Sequence, residues 1–245
     1  MKALLLSSLL CLVCNTALCA KETVMEKYVT DTYTLESGKK VSFTFFGHAS
    51  FMIDYNGEKI YIDPVGEYAD YSKQDKADII LITHGHYDHF DDGAVCTLKK
   101  EDTEVLSTSE VVQTAGYGTV LKNYDTIYIK GITVHAFPAY NTTEGRDKFH
   151  PKGRDNGYLL EIEQMRIYIS GDTETVDDNE SINNCDVLFL AVNQPYTMTI
   201  EQAVSTAQRI NPRVFYPYHT TDTDIRELEN SCMQHGIPVV IHDMR

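Results

Sequence analysis

The alternation of apolar and polar positions changes period several times along the 245 residues. Residues 41–63 alternate, and Asn56-Gly57 divides them into two strand-like runs. That dipeptide tolerates the positive φ values of a type I′ turn, so a β-hairpin is predicted, with Asp63 closing its second strand. Residues 21–40 are polar and lead into the first strand. Residues 79–82, all Ile or Leu, form an unbroken apolar run of strand length, as expected where both faces are buried. Further on, the pattern predicts a helix over 91–100 beginning at Asp91 or Asp92, a strand at 104–107, and a helix over 109–114 closed by Gly116. Two hairpins follow, 126–130 with 132–137 around Gly131, and 158–162 with 165–170 around Glu163-Gln164. Residues 186–192 read as a buried strand ending near Asn193. Thr199-Ile-Glu-Gln202 is a capping box that opens a helix to Ile210. A strand at 214–218 ends at His219. A helix starts at Thr223 or Asp224, turns Ile225, Leu228 and Cys232 inward, and stops at Gly236; residues 239–241 read as a short last strand.

Composition narrows the setting. An apolar content of 42% can fill a core, while a net charge of −15 repels phosphate backbones and argues against nucleic acid as a partner. Residues 1–20 carry Lys2, an apolar run over 3–13 and a small-x-small Ala17-Leu18-Cys19 site, the pattern of a cleaved secretory signal. The residues before Cys11, Cys14 and Cys19 are not small, so a lipoprotein signal fits poorly. Beyond this segment no apolar span of transmembrane length occurs. The expectation is therefore one domain over 21–245, secreted and periplasmic, with no stable membrane anchor. Cys96, Cys185 and Cys232 remain after cleavage, an odd number without metal-like spacing.

The stretch that follows the 79–82 strand changes the picture. Thr83 is followed by His84, His86, Asp88 and His89 within six residues. Three imidazoles and a carboxylate at the mouth of a buried strand are costly unless something uses them. Neutral imidazole nitrogens and a carboxylate oxygen suit zinc, and also manganese or iron. On so tight a loop the four groups do not readily surround one ion, but they can serve two, with His84 and His86 on one and Asp88 and His89 on its neighbour.

His84-x-His86-x-Asp88-His89 after an apolar strand resembles the signature of the metallo-β-lactamase fold hydrolases. Tyr168-Ile-Ser-Gly-Asp172 resembles that superfamily's strand ending in Gly-Asp, and residues 214–219 resemble its last strand, which ends in a metal-binding His. Gly47-His48-Ala-Ser50 and Ile62-Asp63-Pro64 resemble the branch that includes L-ascorbate-6-phosphate lactonase-like and N-acyl-phosphatidylethanolamine phospholipase D-like proteins. The likeness runs from about residue 41 to the C-terminus. It implies an α+β fold, a four-layer αββα sandwich with two divalent ions, zinc foremost, in a cleft between the sheets. It also implies Asp172 as the bridging ligand, His219 beside Asp88 and His89 at the second site, His48 near the cleft, and Asp63 supporting a metal-binding His. From the residues alone, His48 reads equally as a hydrogen-bonded edge histidine and Asp63 as the cap of the turn at Pro64.

One departure stands out. The family's third His for the first site falls in residues 138–157, where the matching position is Asn141. Asn141 could ligate through its carbonyl oxygen, or His150 could swing in; neutral imidazole is the better zinc ligand and favours His150. This loop is long for a compact domain. Its Arg146, Lys148, Lys152 and Arg154 form a basic cluster able to hold an anionic substrate group, or a solvated face. Asn193 and Tyr218, at the ends of ligand-bearing strands, join the candidates for the surroundings of the site. His135 reads as a strand-face residue, and His235 and His242 as surface residues.

The expectation is a binuclear metal-dependent hydrolase acting on a lactone or ester of a small anionic molecule, with Asp88 or Asp172 handling a proton. The alternatives are a phosphodiesterase of the same fold and a metal-dependent binding protein without turnover. β-Lactam hydrolysis fits poorly, since the resemblance gives true lactamases no bridging residue like Asp172. The pattern leaves the oligomeric state open.

Overall fold

The computed structural model describes residues 28–175 and 180–245; the signal-peptide expectation and Cys11, Cys14 and Cys19 lie outside them. A seven-stranded sheet contains β1 (Val29–Thr34), β2 (Lys40–Gly47), β3 (Ser50–Tyr55), β4 (Glu58–Ile62), β5 (Ile79–Leu81), β6 (Glu104–Ser107) and β7 (Thr119–Val120), in that order. A six-stranded sheet contains β8 (Thr126–Ile129), β9 (Ile132–Ala139), β10 (Asp155–Ile162), β11 (Met165–Ile169), β12 (Val187–Ala191) and β13 (Val214–Tyr218), in the order β13-β12-β11-β10-β9-β8. Both sheets are mixed: β1 to β4 and β8 to β11 pair antiparallel, while β4 to β7 and β11 to β13 pair parallel. Helices α1 (Asp92–Leu98), α2 (Ser109–Ala115), α3 (Ile200–Ile210) and α4 (Ile225–Gln234) complete the set.

The continuous apolar runs are explained by three separate cores. Along β12, Val187, Phe189 and Ala191 point into the core between the sheets, whereas Leu188 and Leu190 point outward beneath α3 and α4. Along β5, Ile79 and Leu81 face the other sheet, and Ile80 faces α1 and α2 with Ala94, Val95, Leu98 and Val111. A strand covered on both faces needs no polar alternation. Phe189 anchors the central layer, stacked on Phe51 at 4.5 Å and on Tyr216 at 5.2 Å between ring centroids. Helix, sheet, sheet and helix are therefore stacked in the αββα order that the sequence resemblance implies.

Local signals set the element ends. Asn56 and Gly57 both take positive φ in the hairpin between β3 and β4. Asp91 caps α1 through Gly93 and Ala94 N–H, and Thr199 with Gln202 closes the capping box of α3. Four expectations need correction. The polar 21–40 stretch contains β1, whose Tyr33 hydroxyl meets that of Tyr216 at 2.5 Å, so a half-exposed edge strand was hidden by its polarity. The irregular segment is shorter than 138–157, because β9 runs to Ala139 and β10 starts at Asp155. Residues 239–241 make only a single bridge, Val239 to Phe215. His242 is not a surface residue: its Nε2 meets Asp31 at 2.8 Å and its ring packs on Phe45 at 4.5 Å.

Candidate metal centre

Parallel strands end on one edge of each sheet, and that edge collects the polar residues. Asp63 follows β4, Thr83 and His84 follow β5, Asp172 follows β11, Asn193 follows β12 and His219 follows β13. His48, in the turn between β2 and β3, joins them. His48, Asp63 and His219 all adopt left-handed backbone, with φ of 53°, 42° and 52°. For residues with a Cβ this conformation costs on the order of 1–3 kcal/mol each, and here it turns three site side chains toward the space between the sheets. Gly171 (φ 61°) has no such freedom to lose: a Cβ there would lie 2.5 Å from Asn156 O. A glycine is therefore required for the chain to bring Asp172 against β10.

Hydrogen bonds fix which nitrogen of each imidazole carries the lone pair. Asp63 is fully buried and accepts from Thr83 N–H (2.7 Å), Thr83 Oγ1–H (2.7 Å) and His89 Nδ1–H (2.8 Å). With its proton given to Asp63, Thr83 Oγ1 accepts from His84 Nδ1–H at 3.0 Å. Asn141 Oδ1 accepts from His150 Nδ1–H at 2.7 Å, while the Asn141 amide donates to Tyr196 O at 2.7 Å. The Nε2 atoms of His84 and His150 are thereby left as acceptors, and His89 turns Nε2 toward Asp172. His84 Nε2 lies 3.0 Å from His86 Nδ1. Asp63 thus orients His89 and does not act simply as a turn cap, and the Asn141 carbonyl oxygen is bound to His150. The resemblance implied the role of Asp63; that of Asn141 was not legible beforehand, because a ligand and the group that orients it have the same donor chemistry.

The side chains form two groups around one carboxylate. His84, His86 and His150 present nitrogens within 4.8 Å of one another, as do donors of His48, Asp88, His89 and His219. Asp172 lies between them: its Oδ1 is 3.3 Å from His89 Nε2, and its Oδ2 is 3.4 Å from His150 Nε2 and 3.3 Å from His219 Nε2. His48 Nε2 is 3.2 Å from Asp88 Oδ2, and the His48 ring lies 3.8 Å from that of His219. Asn193 approaches His219 Nδ1 at 3.4 Å.

The donor set fits divalent metal. His89 Nε2, His150 Nε2, His219 Nε2 and Asp172 Oδ1 are buried without a hydrogen-bond partner among the described residues, and such atoms are rare unless an ion or water serves them. Charge is balanced locally without one. Burial disfavours charge on His84, whose pKa falls well below the ordinary value. Burial also opposes charge on His89 and His219, yet Asp172 outweighs it and raises both, His219 to about 9. Burial would raise Asp172, but His219 and His89 hold it well below the ordinary carboxylate range.

A cleft of about 820 Å³ opens above this centre, reaching His48, Asp88, His150, Asp172, Asn193 and His219. The basic loop lines it with Phe149 and His150, but not with its cations. Arg146 Nη1 donates to buried Glu174 at 2.9 Å, Arg154 forms a two-point pair with Asp155 at 2.7 and 2.8 Å, and Lys152 lies 4.9 Å from the centre of the Tyr140 ring. Of the three, only Arg154 reaches a site residue, with Nη2 3.3 Å from His86 Nε2. The four cations do not form the expected anion cradle: the buried acids Glu174 and Asp155 hold Arg146 and Arg154, and Lys148 lies over the ring of Phe149 at 5.0 Å. Tyr218 lies beneath the centre, fully buried against Phe51 and Phe189, and is not a substrate contact. His135 sits on the β9 face with Thr126 at 2.8 Å, away from the site. The sequence pattern did not reveal Thr83 or the aromatic residues of the cleft, since nothing local distinguishes them from core or surface positions.

Comparison with known proteins agrees with this geometry. The family profile described as "Beta-lactamase superfamily domain" matches residues 42–219. A UPF0173 metal-dependent hydrolase of Thermococcus onnurineus is 30% identical over 73% of this chain and 84% of its own, and one from a Geobacillus species is 32% identical over 72% and 84%. A solved structure from Parabacteroides distasonis, described as a candidate metal-dependent hydrolase, superposes with a TM-score of 0.86 at 45% identity, over 89% of this chain and all of the other. The chain belongs to the β-lactamase superfamily domain family and is a metal-dependent hydrolase of the metallo-β-lactamase fold.

Proposed function

We propose that the centre holds two divalent ions, zinc by its donor chemistry, and hydrolyses an ester or lactone carbonyl in a small molecule. The observation that carries this reading is Asp172, whose two oxygens face imidazoles of both ligand groups at 3.3–3.4 Å. His84, His86 and His150 would hold one ion, and Asp88, His89 and His219 the other, with Asp172 shared. When bound, a pair of dications supplies an ionised water at neutral pH and an electrophile for the carbonyl oxygen.

The chain's own residues do the rest. Asp63, Thr83 and Asn141 keep the imidazole lone pairs aimed inward, so little reorientation accompanies binding. Burial of the floor excludes bulk water and strengthens each electrostatic contact there. Asp88, half inside the cleft, stays ionised beside His48 and His219 and can orient the attacking water or accept its proton.

Metal content of protein purified without chelators, followed by a panel of lactones, esters and phosphodiesters, tests the reading. About two ions per chain and turnover of a carbonyl substrate are expected. Turnover confined to phosphodiesters moves the reaction class, and metal binding with no turnover of any class makes the chain a binder. Asp172→Ala should abolish turnover and lower the metal count while leaving the far-ultraviolet circular dichroism unchanged; full activity in that variant would sink the shared-ligand assignment.

A further inference from the structure

The walls of the cleft differ in kind from its floor. Above the histidines the lining is aromatic, with Tyr68, Tyr87, Phe149 and Tyr196. Tyr68 stacks on His48 at 5.2 Å and 13°, and Phe149 meets Tyr196 edge-on at 5.0 Å, so these rings are held by neighbours as walls. Tyr87 is 82% exposed, a tyrosine with almost no protein around it at the mouth of a cleft. The charged groups of the wall are Glu67, Asp222 and Arg245. Arg245 is turned onto Asp243, with Nε and Nη2 each 2.8 Å from a carboxylate oxygen. Glu67 and Asp222 have no ion-pair partner among the described residues. None of the four cations of the 140–154 segment lines the cleft: Arg146 pairs with Glu174, Arg154 pairs with Asp155, Lys152 lies over the Tyr140 ring, and Lys148 lies 5.0 Å from the centre of the Phe149 ring.

We propose that the part of the substrate beyond the scissile bond is cationic, an amine or quaternary ammonium group received by the aromatic walls with Glu67 and Asp222. The proposal rests on the hydrolase reading above and adds the substrate's charge to it. Aromatic faces attract a cation through their quadrupole, and carboxylates at the rim add to that attraction. The net charge of −15 acts in the same direction at longer range, drawing cations to the cleft and repelling anions. A carboxylate or phosphate on the same arm of the substrate would meet the two acids Glu67 and Asp222, while Arg245, the one Arg or Lys lining the cleft, is paired with Asp243. The reacting carbonyl and the ammonium group thus go to different places, the first to the histidine floor and the second to the walls.

Two measurements on the metal-loaded protein decide the matter. The first is equilibrium binding of benzyltrimethylammonium, read from tyrosine fluorescence, which no tryptophan obscures in this chain. Saturable binding is expected, weakened about five- to tenfold in Glu67→Gln/Asp222→Asn; both positions are exposed, so the fold should tolerate the changes. Absence of binding, or binding indifferent to the double substitution, overturns the proposal. The second is the ratio of kcat/KM for acetylcholine to that for 3,3-dimethylbutyl acetate, its neutral isostere. The ratio should exceed about five and fall toward one in the double variant. A ratio at or below one in the unsubstituted protein overturns the proposal while leaving the hydrolase reading intact. If neither ester nor any other carbonyl substrate turns over, the ester-hydrolysis reading fails, and the binding measurement alone judges the cation site.

Discussion

Each histidine of the centre is held by a second residue, and the strength of that hold can be measured. Asn141→Leu removes the acceptor that fixes His150 Nδ1–H and leaves a space of similar volume filled. Metal affinity at the first site should fall about 10–100-fold in chelator competition, as is typical when such a partner is lost. An unchanged affinity would mean that His150 is not a ligand. The protonation of the free site sets a second expectation. His219, raised to about 9, stabilises the metal-free fold below its unfolded value near 6.5, and that contribution is lost as pH rises through about 9. His84 and His150, both lowered chiefly by burial and the latter to about 4, act in the opposite sense, costing stability as pH falls below about 6.5. The midpoint temperature of chelator-treated protein should therefore be highest near pH 6.5 and decline both toward pH 9 and toward pH 5, read by calorimetry across pH 5–10. At pH 7.5 metal binding should release protons, seen by titration calorimetry as a heat that depends on the buffer's ionisation enthalpy. The residue types at 84–89 were legible because only a metal makes such a cluster economical at a strand end. Asn141 was legible as an anomaly but not as a support, since its contact with His150 spans a loop whose closure is a tertiary event.

At the scale of elements, strands deliver the ligands and glycines let them approach. Gly171→Ala should both destabilise the protein and lose metal, because a Cβ at 2.5 Å from Asn156 O must push β11's end, and Asp172 with it, away from β10. A midpoint loss without metal loss would place the strain elsewhere. In the central layer, Phe189→Ala should cost about 3–5 kcal/mol in denaturant unfolding, since the side chain is fully buried among Phe43, Phe45, Phe51 and Tyr216. The helices and the hairpins were predicted closely, because caps, Asn-Gly turns and apolar runs act within a few residues. β1 was not, since its alternation is muted by Thr and Asp on an edge that packs through Tyr33 and Asp31. The supposed strand at 239–241 failed for the converse reason: apolar residues with strand character found one bridge to β13 and no ladder.

Across the whole molecule, the proposed metal ligands come from both halves of the chain. β1 to β7 and the His84–His89 loop come from the first half, and Asp172 and His219 from the second, so ion binding at the proposed centre would link the sheets across the central core. Metal at about 1,000 times its dissociation constant should add about 4 kcal/mol to unfolding, visible as a midpoint rise on zinc addition that Asp172→Ala largely removes. The sequence by itself determined the layers and the ligand types: apolar periodicity follows from which faces are buried, and a His-rich turn after a buried strand admits few explanations. Only the tertiary structure decided which groups face one another. Asn141 reaches His150, Asp63 reaches His89, and the loop cations turn to Glu174 and Asp155 and away from the cleft, because hydrogen bonds and ion pairs are won by proximity in space, which residue spacing along the chain does not encode.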